Sequence, residues 1–500
     1  MTITGKEFFI GVDVGTTGTK AVVFDGCGTV CAKDYQAYDC IMNQPGYQEL
    51  DPDLVFNAVC LAISNVANAV PNPERICTIG VSSLGEALIP IDKKGRKLAN
   101  SMLGSDVRGK EAYQHFHEKM GGAYIAEHTG HPYSPDYSVS KLLWMKENHP
   151  EIWDGAQRFL LYEDYINFRL TGETVIDYSL ASRTMLFDIF AKNWSAPLLE
   201  YVGLSPNRLS RPVLSGTIIG NLLPSVCKKL GLSPGVCVVA GGHDVPTALM
   251  GGGAILGQNR AVDTIGTTEC ISVPLHVPLS KETILDESLV CEPSMEKDCY
   301  NTLAFMWNGG ILLEWFKKTF SHDDSRDFFS EYDGRCVQDP SRLLVMPHFS
   351  GTGTMHAGKK PLGAVIGLTL KTNPSDIYQA ILEGINFEMR MNLEKLRGTS
   401  AKIQEIVAVG GGTKSSVWLQ MKANIYNCPI FTLECWEAGA MGVAIAGATA
   451  VGYYPDHQTA VQHMIHNHSR FDPNYQVASR YEVEYQRYKK LFDALEPLRQ

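Results

Sequence analysis

Two short stretches have the residue types to hold a phosphate. Residues 15–20 read GTTGTK and residues 265–269 read IGTTE. Glycine lets the backbone come close to an anion, and threonine adds a hydroxyl to the converging N–H groups. Either stretch alone also fits a plain tight hairpin. The repetition argues for more. Asp13 stands before the first turn and Asp263 before the second, 250 positions apart in a chain of 500. A carboxylate at a strand end beside such a cradle can hold Mg²⁺ against phosphates, or can simply cap its own turn.

Two further corners carry chemistry. VCVVAGGHDVPTALMGGG, residues 236–253, puts His243 and Asp244 at the end of an apolar strand, and Val245 onward reads as a helix start. A carboxylate there suits a base or a metal ligand; the plainer alternative is a helix cap. GGGTKSSVWLQMKANIYN, residues 410–427, follows the strand-like EIVAVG and opens an amphipathic helix with three glycines. Bare backbone there can accept a flat adenine or a ribose, or can pack a strand tightly on a helix. Other phosphate motifs are missing: there is no G-x-x-x-x-G-K-[ST], no G-x-G-x-x-G after a strand, and no H-R-D or D-F-G. His457, His463, His466 and His468 lack carboxylate and cysteine partners at ligand spacing and read as a solvated helix.

The elements that must position these residues alternate between strand and helix. Phe8–Val14 and the apolar run 21–25 flank the first Gly/Thr turn as a hairpin. Helical spacing covers 51–70, and ICTIGVSS then reads as a buried strand. The pattern continues through most of the chain and predicts an α/β protein. GVSSLG at 80–85 and AVGGGT at 408–413 form a second matching pair. The sequence therefore predicts two similar halves, 1–250 and 251–500, each presenting a Gly/Thr hairpin to a shared cleft. Their joint is expected near 245–260, small and Gly-rich, packed and hinge-like.

Composition narrows the partners. Lys and Arg number 44 and Asp and Glu 54, a formal net charge of −10. That counts against a general nucleic-acid binder. No stretch approaches the roughly 18–20 apolar residues of a membrane helix. MTITGKEFFIGVDVG lacks the layout of a signal peptide. The 13 cysteines are scattered with no Cys-x-x-Cys, and read as reduced thiols in a cytoplasmic protein.

Taken in order, these motifs resemble those of the FGGY family of carbohydrate kinases, within the actin-like, hexokinase-like ATPase superfamily. IGVDVGTTGTKAVVFD resembles its first phosphate hairpin, TIGTTE its second, GGHD its catalytic corner, VGGGTKSSVWLQMKAN its adenosine corner and EAGAMGVAIAGA the helix after it. Residues 363–384 fit the family's C-terminal signature, including Asp376, Ala380, Glu383 and Gly384. Residues 136–148 fit its N-terminal signature at Ser138, Lys141, Trp144 and Asn148, and depart at Asp136, where relatives usually carry an aromatic, Met, Gly or Ser.

The resemblance implies a fold of two actin-like, ribonuclease H-like α/β domains around a central cleft. It implies transfer of the ATP γ-phosphoryl to a hydroxyl of a sugar or polyol, with Asp244 as general base and Asp13 beside Mg²⁺. Thr16, Thr17, Gly266 and Thr267 are implied as phosphate contacts. Gly411, Gly412, Ser415, Gly309 and Gly310 are implied around the nucleotide, and Gly85, Glu86, Asp106 and Asp244 around the sugar. Many relatives carry Met-His or Arg-Glu at positions 85–86, where this chain has Gly-Glu. The acidic pocket leans toward a neutral substrate such as xylulose or fuculose rather than a sugar acid. Two other readings stay open: an actin-like ATPase that switches a protein partner, and a catalytically inactive sugar sensor. The oligomeric state is also open, with a homodimer one option.

Overall fold

The structure, a computed structural model, describes residues 7–255, 257, 259–320 and 328–499. Of the expected joint at 245–260, residues 256 and 258 lie outside the described residues.

The first half is built on Phe8–Val14 (β1) and Gly18–Asp25 (β2), the expected antiparallel hairpin, with β2 beginning three residues before the apolar run. Val30–Ala37 (β3) pairs with β2, and its strictly alternating exposure marks an edge strand. Pro52–Ala69 (α1) starts where Asp51 accepts the Asp53 and Leu54 N–H groups and Pro52 occupies the first turn. Ile76–Ser83 (β4) runs parallel to β1, then Ile218–Asn221 (β5) and Cys237–His243 (β6) complete the order β5-β6-β4-β1-β2-β3. Asp244–Gly251 (α2) follows directly.

The second half repeats this plan. Arg260–Ile265 (β7) and Glu269–Leu275 (β8) form the second hairpin. With Val290–Pro293 (β9), Tyr300–Met306 (β10), Glu405–Val409 (β11), Ile430–Leu433 (β12) and Asn467–Phe471 (β13), the sheet order is β9-β10-β8-β7-β11-β12-β13. Here β11 lies parallel to β7 as β4 does to β1, and β12 parallel to β11 as β6 does to β4. In both sheets a last antiparallel strand closes the edge. Pro374–Arg397 (α3) is opened by a capping box between Asn373 and Asp376. Gly384 of α3 lies where a side chain would strike the Val345 carbonyl. The C-terminal signature residues therefore cap and pack this helix. Ser416–Tyr426 (α4) and Ala438–Ala450 (α5) complete the half.

α2 follows the last strand of the first sheet in chain order, β6, and α5 follows its counterpart β12. These two helices meet. A Cβ at Gly251 would run into the Ala438 carbonyl, and one at Gly442 into the Thr247 carbonyl. Each also reaches the other half's sheet. α5 packs on Phe9, Val22 and Phe24, while Ala248 and Leu249 of α2 join Val262, Val407, Val409 and Leu433. The small-residue sequence AGAMGVAIAGATA is thus a backbone-to-backbone crossing. A second bridge lies further out: the Cys291 N–H donates to the Gly130 carbonyl at 2.7 Å, and Lys281 pairs with Glu127 at 3.0 Å.

If this crossing joins the halves, Gly442→Ala forces a methyl into the Thr247 carbonyl. The expected cost is about 1–3 kcal/mol of overpacking, read as a lower midpoint in thermal or urea unfolding. Gly411→Ala is the control, because its Cβ meets nothing within 4 Å and should leave the midpoint unchanged.

Candidate functional site

In each hairpin a half-buried glycine precedes two exposed threonines: Gly15, Thr16 and Thr17 in one, Gly266, Thr267 and Thr268 in the other. The hydroxyls of Thr16, Thr17 and Thr267 make no hydrogen bond among the described residues. Around the second turn, Gly310 N–H donates to the Gly266 carbonyl at 2.8 Å and Ile311 N–H to the Thr267 carbonyl at 3.3 Å. A Cβ at Gly309 would lie 2.9 Å from the Thr268 carbonyl carbon. Gly412 packs on Ile265 just before the turn, while Gly411 faces open space. So Gly266, Thr267, Gly309, Gly310, Gly411 and Gly412 share one corner. The three glycines do not begin the helix as expected. They lead into a 3₁₀ turn at Gly411–Lys414, and α4 starts at Ser416. Nor is α4 amphipathic at its centre, where Lys422 is buried. Ser415 is its N-cap and accepts the Trp418 N–H at 3.0 Å, which leaves its O–H free to donate to a ligand.

The two aspartates before the turns are not equivalent. Asp13 lies two residues before Gly15, whereas Asp263 lies three before Gly266. Successive strand residues point to opposite faces, so an offset of one reverses the face. Asp13 is accordingly half-buried and Thr264 takes its matching position, while Asp263 is fully buried. Lys422 lies 3.3 Å from Asp263 and donates a hydrogen bond to Glu269. Burial pushes the Glu269 carboxyl up, with Lys422 opposing and Asp263 adding to the rise. This Lys–Asp–Glu trio lies directly beneath the second turn.

Asp13 accepts a 2.9 Å hydrogen bond from Ser82 on one oxygen. Burial pushes its carboxyl up to about 6, Ser82 opposes, and the nearby Asp244 charge adds to the rise. Gly439, at the start of α5, lets that helix pass close: a Cβ there would sit 3.0 Å from Asp13 Oδ1. Lys20 pairs with Glu437 across the same gap. An acidic oxygen without a hydrogen bond, in a place that penalises its charge, fits a divalent cation.

Asp244 is the first residue of α2, and its side chain is 55% exposed. The residue before it, His243, holds the N-cap position without a side-chain cap bond, so Asp244 is not consumed by capping. A β-bulge aims this corner. Between β6 and β4, Val239 pairs with Gly80 but Gly242 with Ser82, one extra residue on β6. At the bulge a Gly241 side chain would strike the Val81 carbonyl. The freed backbone is held by a buried network. Glu163 accepts the Gly241 N–H at 2.8 Å, and Ser179 Oγ accepts the His243 N–H at 2.9 Å while donating to Asp177.

The His243 ring is buried, with Nε2 3.0 Å from Asp244 Oδ1 and Nδ1 3.4 Å from Glu292 Oε2 on β9 of the other half. Burial lowers its pKa, but the Asp244 and Glu292 carboxylates outweigh this and the net shift is upward. Burial raises Glu292, but His243 outweighs it with help from Arg183 and Asn301, and its net shift is downward. The Asp244 charge also reaches Cys270, next to the second turn, as well as Asp13. Asp13 and Asp244 thus lie near one another across β1 and α2, bridged through Ser82, whose hydroxyl bonds both Asp13 and Thr247 of α2; this gap is the candidate crevice.

Glu86 stands beside this crevice with φ of +62°, a strained value for a non-glycine. Arg183 Nε donates to it at 2.6 Å, and Ser138 Oγ donates to its carbonyl at 2.7 Å. Gly85 leaves room for Arg183, whose Cγ would be 3.1 Å from an added Cβ. Lys141 Nζ donates to the carbonyls of Gly104, Pro135 and Asp136. The N-terminal signature therefore staples the loops that carry Glu86. Asp106 departs from expectation. Both of its oxygens are taken by Arg108, with the Gln48 N–H also bound, and its side chain is fully buried. It braces a loop and offers no free oxygen to a substrate. Sequence reasoning missed Arg183 and Glu292, which have no local motif, and gave His243 no role although GGHD was visible.

Comparison with known proteins agrees with this architecture. The family model described as "FGGY family of carbohydrate kinases, N-terminal domain" matches residues 8–251, and its C-terminal counterpart matches 261–451. A xylulose kinase of Bacillus subtilis is 29% identical, covering 97% of each chain. A gluconokinase of the same organism is 28% identical, covering 95% of this chain and 93% of its own. A ligand-bound xylulose kinase from Lactobacillus acidophilus superposes with a TM-score of 0.88 at 27% identity, covering 98% of both chains. The chain belongs to the FGGY family of carbohydrate kinases and has their two-lobed, actin-like α/β fold. It is a sugar kinase, and ATP is the phosphoryl donor of this family.

The buried trio makes a pH prediction. A raised Glu269 pKa means the folded state holds a proton that the unfolded state releases above an ordinary value near ~4.3. Stability contributed by that proton falls as pH rises through neutrality, with a limiting slope of about 1.4 kcal/mol per pH unit. Glu269→Gln should flatten the fall of urea midpoint with pH between about 5 and 8 relative to the parent. An unchanged slope would show Glu269 ionised in the folded protein.

Proposed function

We propose that this sugar kinase transfers the γ-phosphoryl of ATP to a hydroxyl of a neutral ketose of the xylulose type, with Asp244 as general base. The observation that supports the catalytic part is Asp244 itself: a largely exposed carboxylate at the strand-to-helix corner, contacted by His243, with a charge that reaches Asp13 before the first turn and Cys270 after the second. In this reading residues 1–250 and 251–500 act as two lobes. Thr16, Thr17, Gly266 and Thr267 cradle the phosphates. Gly309, Gly310, Gly411 and Gly412 line the nucleoside, with the Ser415 O–H beside them.

Asp13 would hold Mg²⁺, which when bound neutralises phosphate charge. The remaining work belongs to the chain. A loose phosphoryl transition state needs alignment more than strong proton abstraction. Asp244 accepts the hydroxyl proton late and aims the oxygen. The imidazole of His243 restrains the Asp244 oxygen it contacts and leaves the other toward the crevice. Closure on bound sugar keeps water from taking the phosphoryl group.

The similar relatives include both xylulose kinases and gluconokinases, so names alone do not choose the substrate. The Arg183–Glu86 pair supports a choice. Arg183 is a largely buried and Lys141 a fully buried cation beside the pocket: Glu86 matches the charge of Arg183, and three carbonyls take the Lys141 N–H groups. A sugar acid would bring a carboxylate to a site where both of these cations are already engaged. A neutral ketose needs hydrogen bonds only.

Two measurements test this reading. Asp244→Asn should fold, bind both substrates and lose about 10²–10⁴ in kcat; parent-like turnover would remove Asp244 from the role. ADP release across xylulose, fuculose, glycerol and gluconate should rise most with a neutral ketose. Greater stimulation by gluconate would overturn the substrate class, and no stimulation by any sugar would favour a protein-switching ATPase or an inert sensor.

A further inference from the structure

Away from the crevice, three side chains converge with nothing in the phosphoryl-transfer chemistry to explain them. His348 follows the short strand Leu344–Met346, His356 lies eight residues later, and Glu388 projects from the middle of α3. His348 Nε2 is 3.1 Å from Glu388 Oε1, and His356 Nε2 is 4.0 Å from the same oxygen. One donor atom from each lies within 4.8 Å of the other two.

Their hydrogen bonding is incomplete. Both ring nitrogens of His348 and Oε1 of Glu388 are buried without a hydrogen-bond partner, because the close approach is poorly aligned. The His348 and Glu388 side chains are 0% and 1% exposed. Buried polar atoms are nearly always satisfied, so the two orphans that face each other, His348 Nε2 and Glu388 Oε1, call for a ligand. The other Glu388 oxygen is not an orphan: Tyr488 donates to it at 2.6 Å. That bond fixes the carboxylate and leaves Oε1 turned to the histidines, as outer partners of metal ligands do.

We propose that His348, His356 and Glu388 form a binding site for a divalent transition-metal ion, with Zn²⁺ the best match. Two imidazoles and one carboxylate are a borderline N,N,O donor set, which suits Zn²⁺ and not the all-oxygen shell that Mg²⁺ prefers. Donor separations of 3.1 and 4.0 Å are near those spanned by ligands about 2.0–2.2 Å from one ion. His356 is the solvent-facing member at 15% exposure, so water can fill a fourth position there.

The ion has a structural task. It ties the loop 347–358 to α3. Within that loop Thr352 Oγ1 donates to the His356 carbonyl at 2.7 Å, and Asn308 Nδ2 donates to the Gly351 carbonyl at 2.8 Å. Asn308 is the residue before Gly309 and Gly310, so the clamp reaches one wall of the nucleotide corner. His356 stacks on Phe492 at 3.4 Å, and Arg499 lies 3.5 Å from the same ring centre. Two planes that close to one ring occupy opposite faces.

The test uses the full chain, stripped with a chelator and titrated with Zn²⁺ and with Co²⁺. The expected result is one equivalent of Zn²⁺ per chain and a Co²⁺ absorption band in the visible that Zn²⁺ displaces. Zn²⁺ should also raise the thermal midpoint of the parent. His356→Ala, at the exposed edge, should weaken binding by at least about 100-fold and abolish the midpoint shift. His463→Ala, on the exposed helix His457–Met464, should change neither. If His356→Ala does not fold, the Co²⁺ spectrum of the parent decides: a band of intensity typical of four- or five-coordinate Co²⁺ supports the site, and none refutes it. Absence of a Zn²⁺ equivalent in the parent, or equal binding by His356→Ala, overturns the proposal.

Discussion

The His243 imidazole is buried between two carboxylates that come from different halves of the chain: Asp244 on its own strand end, and Glu292 on β9. Placing a charge-bearing ring out of water is unfavourable unless both sides are matched. Here the matching carboxylates hold the pair together, and the net shift of each partner favours the charged forms. Because Glu292 belongs to the second half, the orientation of the Asp244 carboxylate depends on how the halves sit. In the proposed mechanism, the group that aims the hydroxyl is thereby tied to how the two halves sit.

The rest of the architecture serves that contact. The α2–α5 crossing brings backbone against backbone at Gly251 and Gly442, which allows little sliding between the sheets. The bulge in β6 turns the strand end, and Glu163 and Ser179 accept the N–H groups it frees, with Asp177 accepting the Ser179 hydroxyl. Arg183 links Glu86 on the sugar side to the same electrostatic neighbourhood, since it also acts on Glu292. Few of these groups can be replaced singly without leaving a buried donor or charge unmatched.

Much of this was legible in the sequence wherever a local pattern determined it. The hairpins around residues 15 and 266, helix α1, strand β4 and the GGHD corner follow from apolar runs, turn residues and caps, all within a few residues. The two-fold plan followed from the repeated Gly/Thr turns. The repeat misled at Asp263, where a shift of one residue reverses the strand face and buries the carboxylate against Lys422. Asp106 misled because a pocket-facing carboxylate and a brace for Arg108 look alike in sequence. Arg183 and Glu292 were invisible because their partners lie far away in the chain: Glu86 is 97 residues from Arg183, and His243 meets Glu292 only across the two halves. The Gly-rich stretch near 245–260 was expected to pack, but its partner was not legible: Gly251 lies against the Ala438 carbonyl of α5, far along the chain.

The most direct test of the His243 bridge is steady-state kinetics of Glu292→Gln with a saturating neutral ketose. The variant keeps the shape of the side chain and removes its charge. If Glu292 holds the imidazole that aims Asp244, kcat should fall by about tenfold or more, since misplacement of a reacting group is costly, while the KM for ATP stays unchanged. A kcat equal to that of the parent would show that Asp244 is aimed without help from the second half, and would contradict the account.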